Sequence, residues 1–90
     1  MKNITNYKSR KKGKTPIAFF HYWKAGEIIY QGYVTHLRKD FTGECQLFDW
    51  FLGEPSETIQ ATRAFFDDCT FYDSDYEMKA AYANQSRKIL

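Results

Sequence analysis

The sequence predicts a small, mainly β domain that is closed by one C-terminal helix. Three observations support this fold class. Aromatic residues make up 19% of the 90 residues, and flat rings pack well on the pleated surface of a strand. Short apolar stretches alternate with tight turn signals, as in antiparallel sheets. The end of the chain carries a helix-capping pattern and an apolar stripe at helical spacing.

The N-terminal residues differ from the rest in charge. They carry six positive charges before Pro16 and no acidic residue, whereas the other seven basic residues stand against all eleven acidic ones. The formal net charge of +2 therefore combines a cationic segment with a body near −4. Because this segment has almost no apolar side chains to bury, we expect residues 1–16 to be a disordered tail. Residues 17–90 then form a single domain.

The first folded part predicts a β-hairpin. Residues 17–23 are apolar on both faces, which is typical of a strand in a barrel or in a sheet with a covered outer face. Gly26 can supply the positive φ that a tight turn needs. Residues 27–37 form the second strand, in which Gly32 predicts a bulge or a sharp bend. With the turn at Gly26, His21 is expected to face Tyr30.

The middle of the chain predicts a third strand over residues 44–52, which the turn signal GEPS ends. A short strand over residues 58–61 follows. A helix over residues 56–66 is the rival interpretation, but its apolar stripe is poor. We therefore expect a helical turn over residues 63–67 and a final strand over residues 69–72.

The clearest local pattern lies at the C-terminus. Ser74 and Glu77 form a capping box, and acidic residues at the start with basic residues at the end suit the helix dipole. We expect a helix over residues 74–88 that packs one stripe on the strands, formed by Met78, Ala81, Tyr82, Gln85 and Ile89.

Five short strands, a mid-strand glycine and a helical turn before the last strand together predict a small SH3-like five-stranded antiparallel barrel. A more open, strongly bent antiparallel sheet with the helix lying across it is the alternative. The chain has no apolar run that could span a membrane and no signal-peptide pattern, and two cysteines are too few for a disulfide scaffold. We therefore expect a cytoplasmic protein.

Three segments, WKAGEIIYQGYV, QLFDWFLGEPS and FYDSDYEM, are similar to a pattern in small uncharacterised bacterial proteins carried on integron gene cassettes and plasmids. The resemblance covers residues 20–82, and it implies an SH3-like barrel with a C-terminal helix and a mobile-element origin. Its motifs are structural and imply no established activity. The plasmid-borne dihydrofolate reductase with an SH3-like fold resembles the chain in architecture only, because its substrate-binding segment has no counterpart in this sequence.

No standard active-site motif is present in the sequence. His21, His36, Cys45 and Cys69 are widely spaced and form no pair at metal-ligand spacing. An acidic residue precedes each cysteine and is expected to raise its thiol pKa. No nucleophile elbow, phosphate loop or dinucleotide fingerprint occurs. We expect no catalytic residue, no metal and no cofactor, and the sequence argues against an enzyme.

The chain has more aromatic residues than one small core can bury, so some of them are expected on the surface. There they can stack on a proline-rich peptide or on bases. The alternatives are that they pack the core, lie under the helix or mediate self-association. The candidate interaction groove consists of Trp23, Tyr33, Asp49 and Trp50.

The basic tail provides a second candidate, an arm that contacts phosphates through Lys8, Arg10, Lys11, Lys12 and Lys14. The alternative is that the tail only improves solubility. The acidic remainder of the chain would also repel a nucleic acid that lies across it. The sequence therefore favours a non-enzymatic binding or adaptor module whose partner is another protein or a second copy in a homodimer. A nucleic-acid binder that uses the arm and an enzyme whose site forms between subunits are the alternatives.

Overall fold

The computed structural model describes residues 3–10, 16–49 and 54–89. Its five strands form one antiparallel sheet in the order β4-β3-β2-β1-β5, which is not closed. The mainly β class, the five strands and the C-terminal helix are therefore confirmed. The elements in chain order are a 3₁₀ helix (Ile4–Arg10), β1 (Ala18–Lys24), β2 (Glu27–Leu37), β3 (Gly43–Phe48), β4 (Pro55–Ala61), α1 (Arg63–Asp67), β5 (Cys69–Tyr72) and α2 (Asp75–Ile89).

The hydrophobic core lies on one face of the sheet, which we call the core face. Phe20 of β1 is paired with Gly32 of β2, which is paired with Leu47 of β3. Phe20 and Leu47 are buried in one cluster with Phe66 of α1 and Tyr7 of the 3₁₀ helix. Two short helices therefore cover the core face.

The opposite face, which we call the outer face, is covered in part by α2, which contacts β1 and β5. Met78 of α2 is fully buried, although it does not belong to the core cluster. The backbone N–H of Glu77 donates to Ser74 Oγ at 3.1 Å, which confirms the predicted cap. Along the described part of the chain, no helix is long and apolar enough to cross a membrane.

The β1–β2 hairpin turns as predicted, with positive φ angles of 53° at Ala25 and 78° at Gly26, as a tight two-residue turn requires. However, a register shift between Tyr22 and Trp23 places His21 opposite Gln31. The predicted pairing of His21 with Tyr30 is therefore wrong, because counting back from the turn takes no account of the bulge.

Gly32 does not mark a bulge. The register shifts of β2 lie elsewhere, and a Cβ atom at Gly32 would overlap the carbonyl oxygen of Gln46 on β3. The glycine is needed because two strand backbones approach closely at this point.

The expected tail includes Ile4–Arg10, which form the 3₁₀ helix. Ile4 is 5% exposed and Tyr7 is 1% exposed, and the hydroxyl of Tyr7 donates to Asp73 Oδ1 at 3.0 Å. Because a 3₁₀ helix has three residues per turn, these two apolar residues lie on one side and enter the core together. Residues 11–15 lie outside the described part.

The β3–β4 connection differs from its prediction. β3 ends at Phe48, which is paired with Pro55, and the N–H of Asp49 donates to the carbonyl of Glu54 at 2.8 Å. Because of this pairing, β4 begins three residues before the predicted strand at residues 58–61. α1 and β5 have the predicted bounds.

Gly32→Ala is expected to lower the free energy of unfolding by about 2 to 3 kcal/mol, because the new methyl group forces β2 and β3 apart. Gly26→Ala is the matched control, since the space around it is open and only its positive φ adds strain, at about 1 kcal/mol. Urea denaturation measures both changes. An equal loss in the two variants would contradict the close approach.

Tyr7→Ala is expected to cost about 3 kcal/mol of stability, as for other buried aromatic side chains. Tyr7→Phe keeps the ring and removes only the hydrogen bond to Asp73, at a cost of about 1 kcal/mol. Thermal and urea unfolding report both values. A disordered N-terminal segment would leave the two variants as stable as the parent.

Candidate functional site

Three aromatic side chains lie in mutual contact on the outer face. The ring centroids of Phe19 and Tyr33 are 5.8 Å apart, and those of Tyr33 and Phe48 are 5.3 Å apart. Both contacts are edge to face, the arrangement that ring quadrupoles favour. All three side chains are half-buried. We call this cluster the aromatic patch.

Strand pairing assembles the aromatic patch. Phe19 is opposite Tyr33 across β1 and β2, and Tyr33 is opposite Gln46 across β2 and β3. Phe48 lies two residues beyond Gln46 and therefore shares its face. The residues that follow or precede these rings point the other way and enter the core, namely Phe20, Val34 and Leu47.

The side of the patch towards β4 is polar. The amide of Gln46 donates to the carbonyl of Glu57 at 3.2 Å, and Thr58 Oγ1 donates to Gln46 Oε1 at 3.2 Å. Asp49 follows Phe48 directly, and Glu54 and Glu57 are exposed. The chain next to this side of the patch is therefore polar and rich in acidic residues.

The other side of the patch borders a partly buried polar pair. His21 is fully buried, its Nδ1 lies 2.9 Å from the hydroxyl of Tyr72, and its ring lies 6.3 Å from that of Tyr82 on α2. Burial lowers the pKa of His21 to about 4 and raises the pKa of Tyr72 to about 12. Both groups are therefore neutral at pH 7, and their hydrogen bond supports the packing of α2.

The structure separates the residues of the predicted groove. Tyr33 lies in the aromatic patch, and Asp49 directly follows the patch residue Phe48 in the chain. Trp23 is half-buried, and its Nε1 donates to Thr70 Oγ1 at 3.0 Å. It lies on the outer face but four residues along β1 from the patch, about 13 Å away. Trp50 lies outside the described residues.

Phe19 and Phe48 were not among the predicted groove residues. Alternation along each strand puts Phe48 on the same face as Gln46, but it does not tell which residue of the next strand lies beside it. Only the register between β2 and β3 brings Phe48 next to Tyr33.

The arm residues fall in two groups. Lys8 and Arg10 belong to the 3₁₀ helix, and their side chains are not described. Lys11, Lys12 and Lys14 lie outside the described residues. The structure therefore bears only on the start of the arm, which is anchored to the core through Ile4 and Tyr7.

The cysteines are held as thiols. Burial raises the pKa of Cys45 to about 12 and also raises the pKa of Cys69, with smaller contributions from the neighbouring acids. Cys69 Sγ donates to the carbonyl of Phe65 at 3.2 Å. His36 is exposed, and its Nδ1 lies 3.3 Å from Glu44 Oε2. Among residues 3–10, 16–49 and 54–89, no three potential ligands are grouped so as to hold a metal ion.

No protein-family model matches this chain, and neither does any curated protein or solved structure.

The stability of the fold is expected to fall as the pH drops from about 6.5 to about 4. Below pH 6.5 the unfolded chain protonates His21, whereas the folded chain keeps it neutral down to a pKa of about 4. Proton uptake by the unfolded state lowers stability, here by about 3 kcal/mol. His21→Asn removes this slope, and His36→Asn keeps it. Parallel curves of unfolding free energy against pH for wild type and His21→Asn would contradict this.

Proposed function

We propose that the chain is a small non-enzymatic binding module whose aromatic patch binds a proline-rich peptide that carries basic residues. The observation that carries this proposal is the set of three contacting, half-buried rings. Proline-rich segments are already extended in solution, so they lose little entropy when they dock on aromatic side chains.

The order of the strands supports an SH3-like fold, which is part of this proposal. β1 pairs with both β2 and β5, and the short helix α1 stands between β4 and β5. We propose that this open sheet belongs to the SH3-like class. The resemblance to integron cassette proteins is the reason to propose a bacterial mobile-element origin.

Charge supports a basic rather than an acidic peptide. Asp49, Glu54 and Glu57 lie close to Phe48 along the chain, at the β3–β4 connection and in β4, and the chain beyond Pro16 has an excess of acidic residues. Exposed ion pairs contribute only about 0 to 1 kcal/mol each. The rings therefore supply most of the affinity, and the carboxylates orient the peptide and select its charge.

The same acidic excess disfavours a nucleic acid on the patch, because it repels phosphates. A nucleic-acid role through Lys11, Lys12 and Lys14 stays a separate hypothesis. The 3₁₀ helix contributes to the core, so the full-length chain with these three lysines changed to glutamine is a better test than truncation.

We expect a fluorescein-labelled peptide of alternating prolines and arginines to bind the full chain in fluorescence anisotropy. Tyr33→Ala should weaken binding about tenfold, which corresponds to the loss of about 1.4 kcal/mol of ring contact. Tyr76→Ala is the matched control, because this tyrosine is 81% exposed and lies on α2. Circular dichroism confirms that both variants are folded.

Three results would each overturn the proposal. A peptide with glutamates in place of the arginines could bind equally well, Tyr33→Ala could leave affinity unchanged, or the peptide could fail to bind. Labelled DNA and RNA are measured in the same salt series. Binding that weakens linearly with log salt and disappears in the lysine-to-glutamine variant would identify the nucleic-acid alternative.

A further inference from the structure

A pocket of about 230 Å³ lies between the 3₁₀ helix, α1 and the β2–β3 loop. Its lining includes Ile4 and Phe66, which belong to the hydrophobic core and are almost fully buried. The half-buried ring of Phe41 and the exposed residues Arg63 and Asp67 also line it. The pocket lies on the core-face side of the sheet and is therefore separate from the aromatic patch.

The lining residue Phe41 is held in a strained backbone conformation. Its φ angle is 63°, in the left-handed region that is strained for a bulky L-residue. A glycine would form this turn without strain. In the conformation observed, the Phe41 ring packs against the core and lies 6.0 Å from the guanidinium carbon of Arg63. The strained position keeps an aromatic surface at the pocket.

The two charged residues of the pocket have opposite signs and stand one helical turn apart on α1. Within the described residues, neither Arg63 nor Asp67 forms an ion pair. Arg63 precedes Asp67, which is the less favourable order for pairing along a helix. Each charge therefore keeps hydrogen-bonding capacity for a molecule in the pocket.

We propose that this pocket binds a free aromatic α-amino acid. A cavity of roughly 150 Å³ is enough for a benzene ring, so this pocket accommodates one ring and a short charged head group. The ring contacts Phe41, Ile4 and Phe66. The carboxylate of the ligand pairs with Arg63, and its ammonium group pairs with Asp67.

The opposite charges of the pocket select a zwitterion. Asp67 repels a simple anion, and Arg63 repels a simple cation. Residues one turn apart have Cβ atoms about 5 to 6 Å from each other, a separation that one α-amino-acid head group can bridge. The ligand also joins the 3₁₀ helix to α1, and binding to the folded state alone stabilises the fold by mass action.

Titration of the isotope-labelled full chain with L-phenylalanine, L-tyrosine and L-tryptophan, followed by amide NMR, tests this proposal. Saturable shifts are expected at Ile4, Phe41, Arg63 and Asp67, together with a raised melting temperature. Three probes that each lack one feature should bind about tenfold more weakly or worse. They are glycine without the ring, 3-phenylpropionate without the ammonium group and phenethylamine without the carboxylate.

Charge variants identify which group meets which residue. Arg63→Gln should weaken phenylalanine about tenfold but not phenethylamine, and Asp67→Asn should weaken phenylalanine but not 3-phenylpropionate. Arg38→Gln is the matched control, because Arg38 bonds Gln60 at 2.9 Å and is not part of the pocket lining. Phe41→Gly relieves the strained φ and removes the ring, so the chain should stay folded and lose binding.

The absence of saturable shifts at millimolar amino acid would show that the pocket is a packing gap, and the proposal would fall. It would fall equally if Arg63→Gln and Asp67→Asn bound phenylalanine as the parent does, or if the shifts mapped to Phe19, Tyr33 and Phe48. None of these outcomes depends on whether the aromatic patch binds a peptide.

Discussion

The fold depends on the burial of β1 on both of its faces. Phe20 is fully buried in the core, and the next residue, His21, is fully buried on the outer face. β1 also pairs with β2 on one side and with β5 on the other. A strand in this position needs cover on both faces, because unburied apolar surface forfeits roughly 25 cal/mol per Å². The other elements of the chain supply that cover.

Each helix of the structure provides part of this cover. The 3₁₀ helix and α1 close the core face through Tyr7 and Phe66. α2 closes the outer face over β1 and β5 and buries Met78. The helices are short, so they cover only part of each face of the sheet. The aromatic patch lies across β1, β2 and β3, and the small pocket lies where the 3₁₀ helix meets α1. Both candidate sites therefore lie at the edges of the area that the helices cover.

The buried polar side chains suit this arrangement because they are uncharged. His21 is kept neutral by desolvation and bonds the hydroxyl of Tyr72, so α2 packs on a polar pair without burying a charge. Cys45 and Cys69 stay protonated for the same reason. At the pocket, Arg63 and Asp67 are exposed, so their charges can select a ligand.

The local elements can be predicted from residues that are close together in the chain. Alternation, the turn at Gly26 and the cap at Ser74 depend on neighbouring residues only, and the strands, α1 and α2 follow from them to within a few residues. Tertiary structure alone decided the register, since the bulge at Tyr22 and the close approach at Gly32 depend on how two strands meet. It also placed Ile4 and Tyr7 in the core and Phe48 beside Tyr33. Burial and cross-strand contact depend on residues that are distant in the chain. The periodicity of one segment therefore carries no information about them.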